Sequence, residues 1–299
     1  MGSTNIDTRP AAVAGQFYPS DRDELYEIIH WSFTHPLGPG RFPSKSEFSP
    51  EMERVECLIV PHAGYVYSGP VAAHSFNIAH NFFQQYKNQD QINIVILGPN
   101  HYGLGSGVAV SAASFWETPL GKFKVNSELA RDLAEKSNII DIDDASHSRE
   151  HSIEVQIPFI QALSSHVKAT ISLLPVSLML QDSETTKEIA EEIGGIIRSI
   201  DVPFLVLGSS DLTHYEPQES ASLKDRKLLE QVQNLNLAAY YNIIERLNVS
   251  ACGYGAISAV MQISKMFGKK KGNLLKYASS GDTSGDKSAV VGYSSVHFV

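Results

Sequence analysis

The sequence of 299 residues has little of several features that mark particular protein classes. Its only two cysteines, Cys57 and Cys252, cannot form a disulfide framework, which is typical of proteins in the reducing cytoplasm. It has no run near the roughly 18 consecutive apolar residues that cross a bilayer, and its polar N-terminus lacks the apolar region of a signal peptide. The sequence therefore predicts a cytoplasmic protein without a membrane partner.

Basic charge is also scarce. The chain has 24 lysines and arginines against 33 aspartates and glutamates, a formal charge of −9. The one basic run, Lys269–Lys271, follows a helical pattern, and we interpret it as a favourable charge cluster at a helix C-terminus. Because no basic stripe offers a footprint for phosphates, we expect no nucleic-acid partner.

Hydrophobic residues make up 42% of the chain, enough for a large core. Nearly continuous apolar runs are typical of strands buried on both faces of a parallel sheet. Four such runs are present: Val55–Val60, Ile92–Leu97, Ala169–Val176 and Val202–Leu207. Helical periodicity separates them, and two further strands close the chain: Leu274–Ala278 and Ala289–Val299.

Eight stretches have the apolar periodicity of helices, one of them the stripe of Ile153, Ile157 and Ile160. The other seven are Asp21–Phe33, Pro70–Phe83, Glu128–Lys136, Ser183–Ile200, Leu223–Gln233, Leu237–Leu247 and Cys252–Phe267. Strands that alternate with helices predict a single α/β domain over residues 1–299, a three-layer sandwich around a mixed, largely parallel sheet.

Three predicted strands are followed by a histidine in a glycine-flanked loop: His62, His101 and His214. Because loops at the carboxyl ends of strands converge on one side of a sheet, we expect these imidazoles to face one crevice. Seven other histidines lack this setting and are interpreted as surface or core residues: His30, His35, His74, His80, His147, His166 and His297.

Cys252 is a fourth candidate for that crevice. The predicted helix places its sulfur in the first turn, where the helix dipole favours the thiolate that a metal ligand or a nucleophile requires. Gly253 and Gly255 would let other backbone approach closely. The alternative is a buried, inert thiol, which is how we interpret Cys57 inside its strand.

Asp211, Glu150 and His151 are candidates for proton transfer. Asp211 precedes His214 by three residues and could orient that imidazole, act as a base, or only cap a turn. Glu150 and His151 are predicted to begin a helix, with Glu150 beside its positive end. Catalytic and structural interpretations both remain open for these residues.

Six motifs in this order resemble the Memo family, which is related in fold to the class III extradiol ring-cleaving dioxygenases. They are Ala14-Gly15-Gln16-Phe17-Tyr18-Pro19, Pro61-His62-Ala63-Gly64-Tyr65, Gly98-Pro99-Asn100-His101, Glu150-His151-Ser152-Ile153-Glu154, Ser209-Ser210-Asp211 with His214, and Cys252-Gly253. The resemblance spans residues 14 to 253 and implies an α/β sandwich with one pocket at its strand ends.

The resemblance also implies a metal site. The two histidines that bind iron(II) in the dioxygenases correspond to His62 and His101, Cys252 takes the place of their glutamate, and His214 that of their catalytic histidine. A His/His/Cys set suits iron, copper or zinc and does not distinguish among them.

Three functions are compatible with these residues. The first is a metal-dependent redox enzyme in which His214 and Asp211 manage protons. The second, implied by Memo relatives described as adaptors, is a non-enzymatic module that binds phosphopeptides in the pocket. The third is a zinc-dependent hydrolase with Asp211 or Glu150 as its base. The ligand, a small molecule or a peptide, and the oligomeric state are left open.

Overall fold

A computed structural model describes residues 7–44 and 51–299 of the chain. Within these residues it contains twelve β-strands and nine α-helices. The strands are β1 Thr8–Arg9, β2 Val55–Val60, β3 Gln91–Pro99, β4 Val108–Val110, β5 Phe115–Thr118, β6 Gly121–Lys124, β7 Asp141–Ile142, β8 Thr170–Leu178, β9 Phe204–Ser209, β10 His214–Glu216, β11 Gly272–Ser279 and β12 Val290–Phe298.

The helices alternate with the central strands. They are α1 Arg22–Thr34, α2 Tyr65–Tyr86, α3 Ser127–Lys136, α4 Ile157–Ser164, α5 Ser183–Ser199, α6 Gln218–Gln233, α7 Leu237–Leu247, α8 Tyr254–Met266 and α9 Ser280–Ser284. None of these described helices combines the length and the apolar character that a membrane crossing requires.

The large sheet has the order β10-β12-β2-β9-β3-β8-β4-β7, with β11 paired to β12. Its four central strands, β2, β9, β3 and β8, are parallel to one another, while β12 and β4 join antiparallel. A smaller sheet contains β1, β5 and β6. The predicted mixed, largely parallel sheet is confirmed.

Helices cover both faces of this sheet, which gives the three layers. Along β2, Cys57 and Ile59 belong to the core shared with α5 and α8, whereas Leu58 and Val60 belong to the core shared with α1, α2 and α4. Every residue of β2 is buried. The continuous apolar run thus reflects burial on both faces.

Helix α2 begins at Tyr65, five residues before the predicted start at Pro70. Proline lacks an N–H and usually stands at a helix start, which is why the pattern favoured Pro70. Here Pro70 lies in the second turn, and burial of Val71, Ala72 and Phe76 stabilises the helix beyond it. The loop after β2 is therefore short, and it confines His62 to the sheet edge.

The run Lys269–Lys271 follows the C-terminus of α8, and Lys269 in addition forms a buried ion pair. Its ammonium is buried and lies 3.2 Å from Glu56 and 3.4 Å from Glu53. His297 Nε2 lies 2.8 Å from the same Glu56 carboxylate. This ion cluster involves β2 and β12, at the end of β2 opposite His62.

Candidate metal centre

The carboxyl ends of β2, β3 and β9 open into a cleft of about 460 Å³. Its lining residues are Phe17, His62, Ala63, Gly64, His101, His151, Asp211, His214, Tyr215, Ser250, Cys252 and Val291. The expectation that His62, His101 and His214 face one crevice is confirmed. The seven histidines interpreted as surface or core residues are absent from this lining.

His62 is held in one orientation by the neighbouring strand β9. Its backbone N–H donates to Asp211 Oδ1 at 2.8 Å, and its Nδ1 lies 2.9 Å from Ser209 Oγ. The single hydroxyl proton of Ser209 goes to the Ser152 carbonyl at 2.6 Å, so Ser209 accepts the Nδ1–H of His62. Nε2 of His62 therefore carries no proton, and its lone pair faces the Cys252 sulfur.

His101 is oriented in the same way by a buried carboxylate. Glu150 accepts the His101 backbone N–H at 2.6 Å and lies 2.9 Å from its Nδ1. Burial alone would raise the pKa of Glu150, but the hydrogen bond from the His101 ring, together with that from the Ser152 backbone, lowers it to about 2. An ionised carboxylate only accepts, so Nδ1 of His101 carries the proton and Nε2 is free to bind a ligand.

Cys252 completes this group, with Sγ 3.1 Å from His62 Nε2. The prediction that its sulfur lies in the first turn of a helix is wrong, because α8 begins at Tyr254 and Cys252 precedes its N-cap, Gly253. The close approach predicted for Gly253 is present. A Cβ there would lie 2.4 Å from the Ser209 carbonyl oxygen, so only glycine lets the loop reach β9.

The predicted dipole activation of the thiol is also absent. Burial and the charge of Asp211 raise the pKa of Cys252 well above its usual range. Without a cation nearby this sulfur is a neutral thiol and a poor nucleophile. A metal ion would supply the positive charge that stabilises the thiolate.

Asp211 and His214 both line the cleft but have separate roles. The carboxylate of Asp211 accepts the backbone N–H of His62, so of the three roles left open for it the orientation of His214 is the one that these contacts do not support. Nδ1 of His214 carries a proton and donates it to the carbonyls of Leu212 and Ser250, which orient the ring. Burial raises the pKa of Asp211 to about 6.

His151 packs between Phe17 and His101, with ring centroids 4.3 and 4.5 Å away. The helix predicted to begin at Glu150 and His151 begins only at Ile157, because Pro158 fits the first turn of α4. The segment before it places His151 in the lining of the cleft and buries Glu150 against the ring of His101. Burial lowers the pKa of His151 to about 4, so its ring is neutral at pH 7.

The donor atoms of His62, His101 and Cys252 all lie within 4.8 Å of one another. Two imidazoles with free Nε2 lone pairs and one thiol sulfur form a donor set that fits iron, copper or zinc. A second group within the same distance, His101, Glu150 and His151, shares His101. The Glu150 carboxylate already accepts four hydrogen bonds, so the first group is the better candidate.

Sequence reasoning missed the residues that orient these ligands. Gln156 donates to Ser209 Oγ at 2.9 Å and to the Pro61 carbonyl at 3.0 Å. Gln181 binds the Cys252 carbonyl at 2.9 Å and accepts the Gly255 N–H at 2.8 Å. Ser209 belongs to a motif singled out above, but a glutamine has no local pattern that reveals such a contact.

Comparison with known proteins assigns the chain to a family. The family model described as "Memo-like protein" matches residues 9–297. MEMO1 family proteins of Methanopyrus kandleri and Sulfurisphaera tokodaii are each 43% identical, covering 97% of this chain and 98% and 99% of theirs. A solved structure of an uncharacterized protein from Escherichia coli K12 is 12% identical, with a TM-score of 0.48, and covers 82% of this chain and 99% of that chain. By its match over nearly the whole sequence, this chain belongs to the Memo-like protein family.

Proposed function

We propose that this chain binds one metal ion through His62, His101 and Cys252 and uses it in redox chemistry on a small molecule held in the cleft. The proposal depends on which ring nitrogen of His62 and of His101 is left to bind a metal ion. Ser209 and Glu150 accept the Nδ1–H groups, so both Nε2 atoms are available beside the Cys252 sulfur. When bound, iron or copper would supply a redox-active centre with coordination positions left for a ligand.

The surrounding residues divide between positioning and proton transfer. Glu150 holds His101, and its low pKa makes it a positioning residue. His214 can accept a proton at Nε2, since its Nδ1–H is committed to backbone carbonyls. Asp211, with a pKa of about 6, can hold or release a proton near neutral pH. His151 is neutral and borders the same space.

Metal analysis of anaerobically purified and reconstituted protein tests the proposal. We expect about one equivalent of iron, copper or zinc per chain, lost in His62→Ala and Cys252→Ala. Cys57→Ala is the matched control, because Cys57 is a buried thiol inside β2 and must leave the metal content unchanged. Protein that takes up none of these metals, or variants that retain them fully, would contradict the proposal.

Zinc-dependent hydrolysis is a second candidate, favoured by the raised pKa of Asp211. A carboxylate that titrates near pH 6 suits a general base. Zinc-loaded protein should then turn over ester or amide substrates, and Asp211→Asn should abolish turnover while zinc remains bound. Retained turnover in this variant would exclude Asp211 as the base.

The phosphopeptide alternative receives less support from this cleft. Among the described residues that line it, none is a lysine or arginine, the side chains that pair with phosphate. Titration with phosphotyrosine peptides separates the two functions, since peptide binding that survives His62→Ala and Cys252→Ala would not depend on the metal site.

A further inference from the structure

Tyr215 combines features that are seldom found in one residue. Its φ is +58°, in the left-handed region where a bulky side chain is an outlier. Its side chain is 78% exposed, so burial does not stabilise this conformation. It also lies at the mouth of the cleft, next to His214.

The backbone on either side of Tyr215 is fixed. Tyr215 is the extra residue of a β-bulge, since His214 pairs with Val291 and Glu216 with Val290. The His214 N–H donates to Ser250 Oγ at 2.8 Å. The Glu216 carboxylate accepts bonds from Ser220 and Lys224, each at 2.6 Å. The bulge therefore presents the Tyr215 ring at a defined position.

Glycine is the residue that this conformation favours at such a bulge. A tyrosine there keeps backbone strain without gaining buried area. Strain of this kind persists where the side chain has a task outside the fold itself. The position of Tyr215 beside the candidate metal centre indicates that this task is contact with a ligand.

The residues that line the cleft also indicate the chemical class of this ligand. The wall of the cleft holds the metal-binding and proton-transferring groups, and its mouth combines the exposed Tyr215 and Ser250 with the half-buried apolar side chains of Phe17 and Val291. Since the described lining has no lysine or arginine, an anionic body would find no partner at that mouth. The wall and the mouth together suit a molecule with a polar, metal-binding head and an uncharged planar body.

We infer that Tyr215 is a specificity-determining residue whose ring packs against the planar body of the small molecule bound at the metal. This inference rests on the proposed metal function. It extends that function by separating two parts of recognition: the metal selects the head of the ligand, and Tyr215 selects its body.

Two hydroxamates with the same metal-binding head test the inference by calorimetric titration of zinc-reconstituted protein. Benzohydroxamate carries a phenyl body, and acetohydroxamate carries only a methyl group. We expect Tyr215→Ala to lower the preference for benzohydroxamate about three- to tenfold, the usual size of an aromatic pair contribution, with acetohydroxamate affinity unchanged. Tyr215→Phe should keep the preference.

Asn248→Ala is the matched control. Asn248 is also exposed, has a φ of +49° and lies outside the cleft lining, so its loss must leave the preference for benzohydroxamate unchanged. Tyr215→Gly should lose the preference while its urea unfolding midpoint equals or exceeds that of the natural chain, because glycine relieves the strain.

The outcomes separate the two proposals. If acetohydroxamate binds and Tyr215→Ala prefers benzohydroxamate as strongly as the natural chain does, the role of Tyr215 is overturned and the metal function stands. If Tyr215→Gly unfolds at a clearly lower urea concentration and keeps the preference, Tyr215 is a structural residue. If the natural chain takes up zinc but binds neither hydroxamate, the role of Tyr215 is overturned and metal binding stands, whereas a chain that takes up no zinc overturns both proposals.

Discussion

Glu150 shows at the scale of one residue how a buried carboxylate organises the candidate metal centre. Its two oxygens accept the backbone N–H groups of His101, His151 and Ser152 as well as Nδ1 of His101. It therefore shapes the loop after β3 and also selects the tautomer of His101. Carboxylates that hold a metal-binding imidazole in this way raise its affinity for metal.

Replacing Glu150 with glutamine should weaken metal binding by about 10- to 100-fold. The amide N–H₂ of glutamine would face N–H groups that are themselves donors, so it could not accept their hydrogen bonds. Competition with a chromogenic chelator measures this affinity. Glu128→Gln is the control, since Glu128 is exposed on α3 and far from the cleft lining. Equal affinities for the Glu150→Gln variant and the natural chain would show that this hydrogen bond does not tune the site.

At the scale of elements, Arg9 joins the N-terminal segment to the segment that carries Glu150. Its guanidinium donates to the carbonyls of His147 and Glu150 at 2.7 and 2.8 Å and lies 2.6 Å from the Glu154 carboxylate. Glu154 also accepts the Tyr18 hydroxyl at 2.6 Å. Two of the motifs that resemble the Memo family, those that contain Tyr18 and Glu154, thus contact each other.

Glu154→Gln should lower the free energy of unfolding by about 3–5 kcal/mol, because it leaves the Arg9 charge buried without its counter-charge. Urea denaturation measures the loss. The control is Glu191→Gln, which removes an exposed pair with Lys187 on α5 and should cost no more than about 0.5 kcal/mol. Similar small losses in both variants would mean that the buried pair contributes little.

The approach of the Cys252 loop to β9 is a second feature at this scale. Gly253→Ala should displace the loop, since the added Cβ would lie 2.4 Å from the Ser209 carbonyl oxygen, and metal content should fall with it. The control Gly195→Ala places a methyl group in open space on helix α5 and should stabilise the protein by about 0.5–1 kcal/mol. Full metal content in Gly253→Ala would show that the loop can shift without moving Cys252.

At the scale of the whole molecule, the sheet carries different chemistry at its two ends. The cleft lies at the carboxyl ends of the parallel strands, and the ion cluster of Glu56, Lys269 and His297 lies at the opposite end of β2. Burial would raise the pKa of Glu56, but the His297 hydrogen bond and the Lys269 charge more than offset this and hold it below its usual range. This cluster therefore links the stability of the fold to pH.

Because the pKa of Glu56 is lower in the folded state, Glu56 takes up a proton at a higher pH in the unfolded chain than in the folded one. The contribution of Glu56 is therefore present at neutral pH and is lost as the pH drops below about 4.5 through the folded-state pKa. Glu56→Gln should lower the free energy of unfolding by about 3–5 kcal/mol at pH 7, since Lys269 stays buried. The difference in stability between this variant and the natural chain should narrow as the pH falls below about 4.5.

Urea unfolding across this pH range measures both effects. Glu53→Gln is the matched control, because the side chain of Glu53 is 66% exposed although it also approaches Lys269. Its loss should change the stability little at any pH. If the difference in free energy of unfolding between Glu56→Gln and the natural chain stays constant on acidification, the pH dependence of stability arises elsewhere in the protein.

The local pattern of apolar and polar residues in the sequence determined most of the fold. Nearly continuous apolar runs located the central strands, including Val55–Val60, because burial on both faces favours apolar residues at most positions. Periodic apolar residues located helices such as α5 and α7. Strand-end histidines indicated the crevice, because parallel strands bring their carboxyl ends to one edge.

Only the tertiary structure decided how the site is oriented. The Ser209 contact with His62 and the Glu150 contact with His101 join residues 147 and 49 positions apart, and no local pattern encodes such pairs. Tertiary packing also placed Cys252 before its helix rather than in it, and turned Asp211 to His62 instead of His214. Hydrogen-bond direction depends on which groups meet after folding, so the sequence could name the candidate ligands but could not say which nitrogen of each histidine is free.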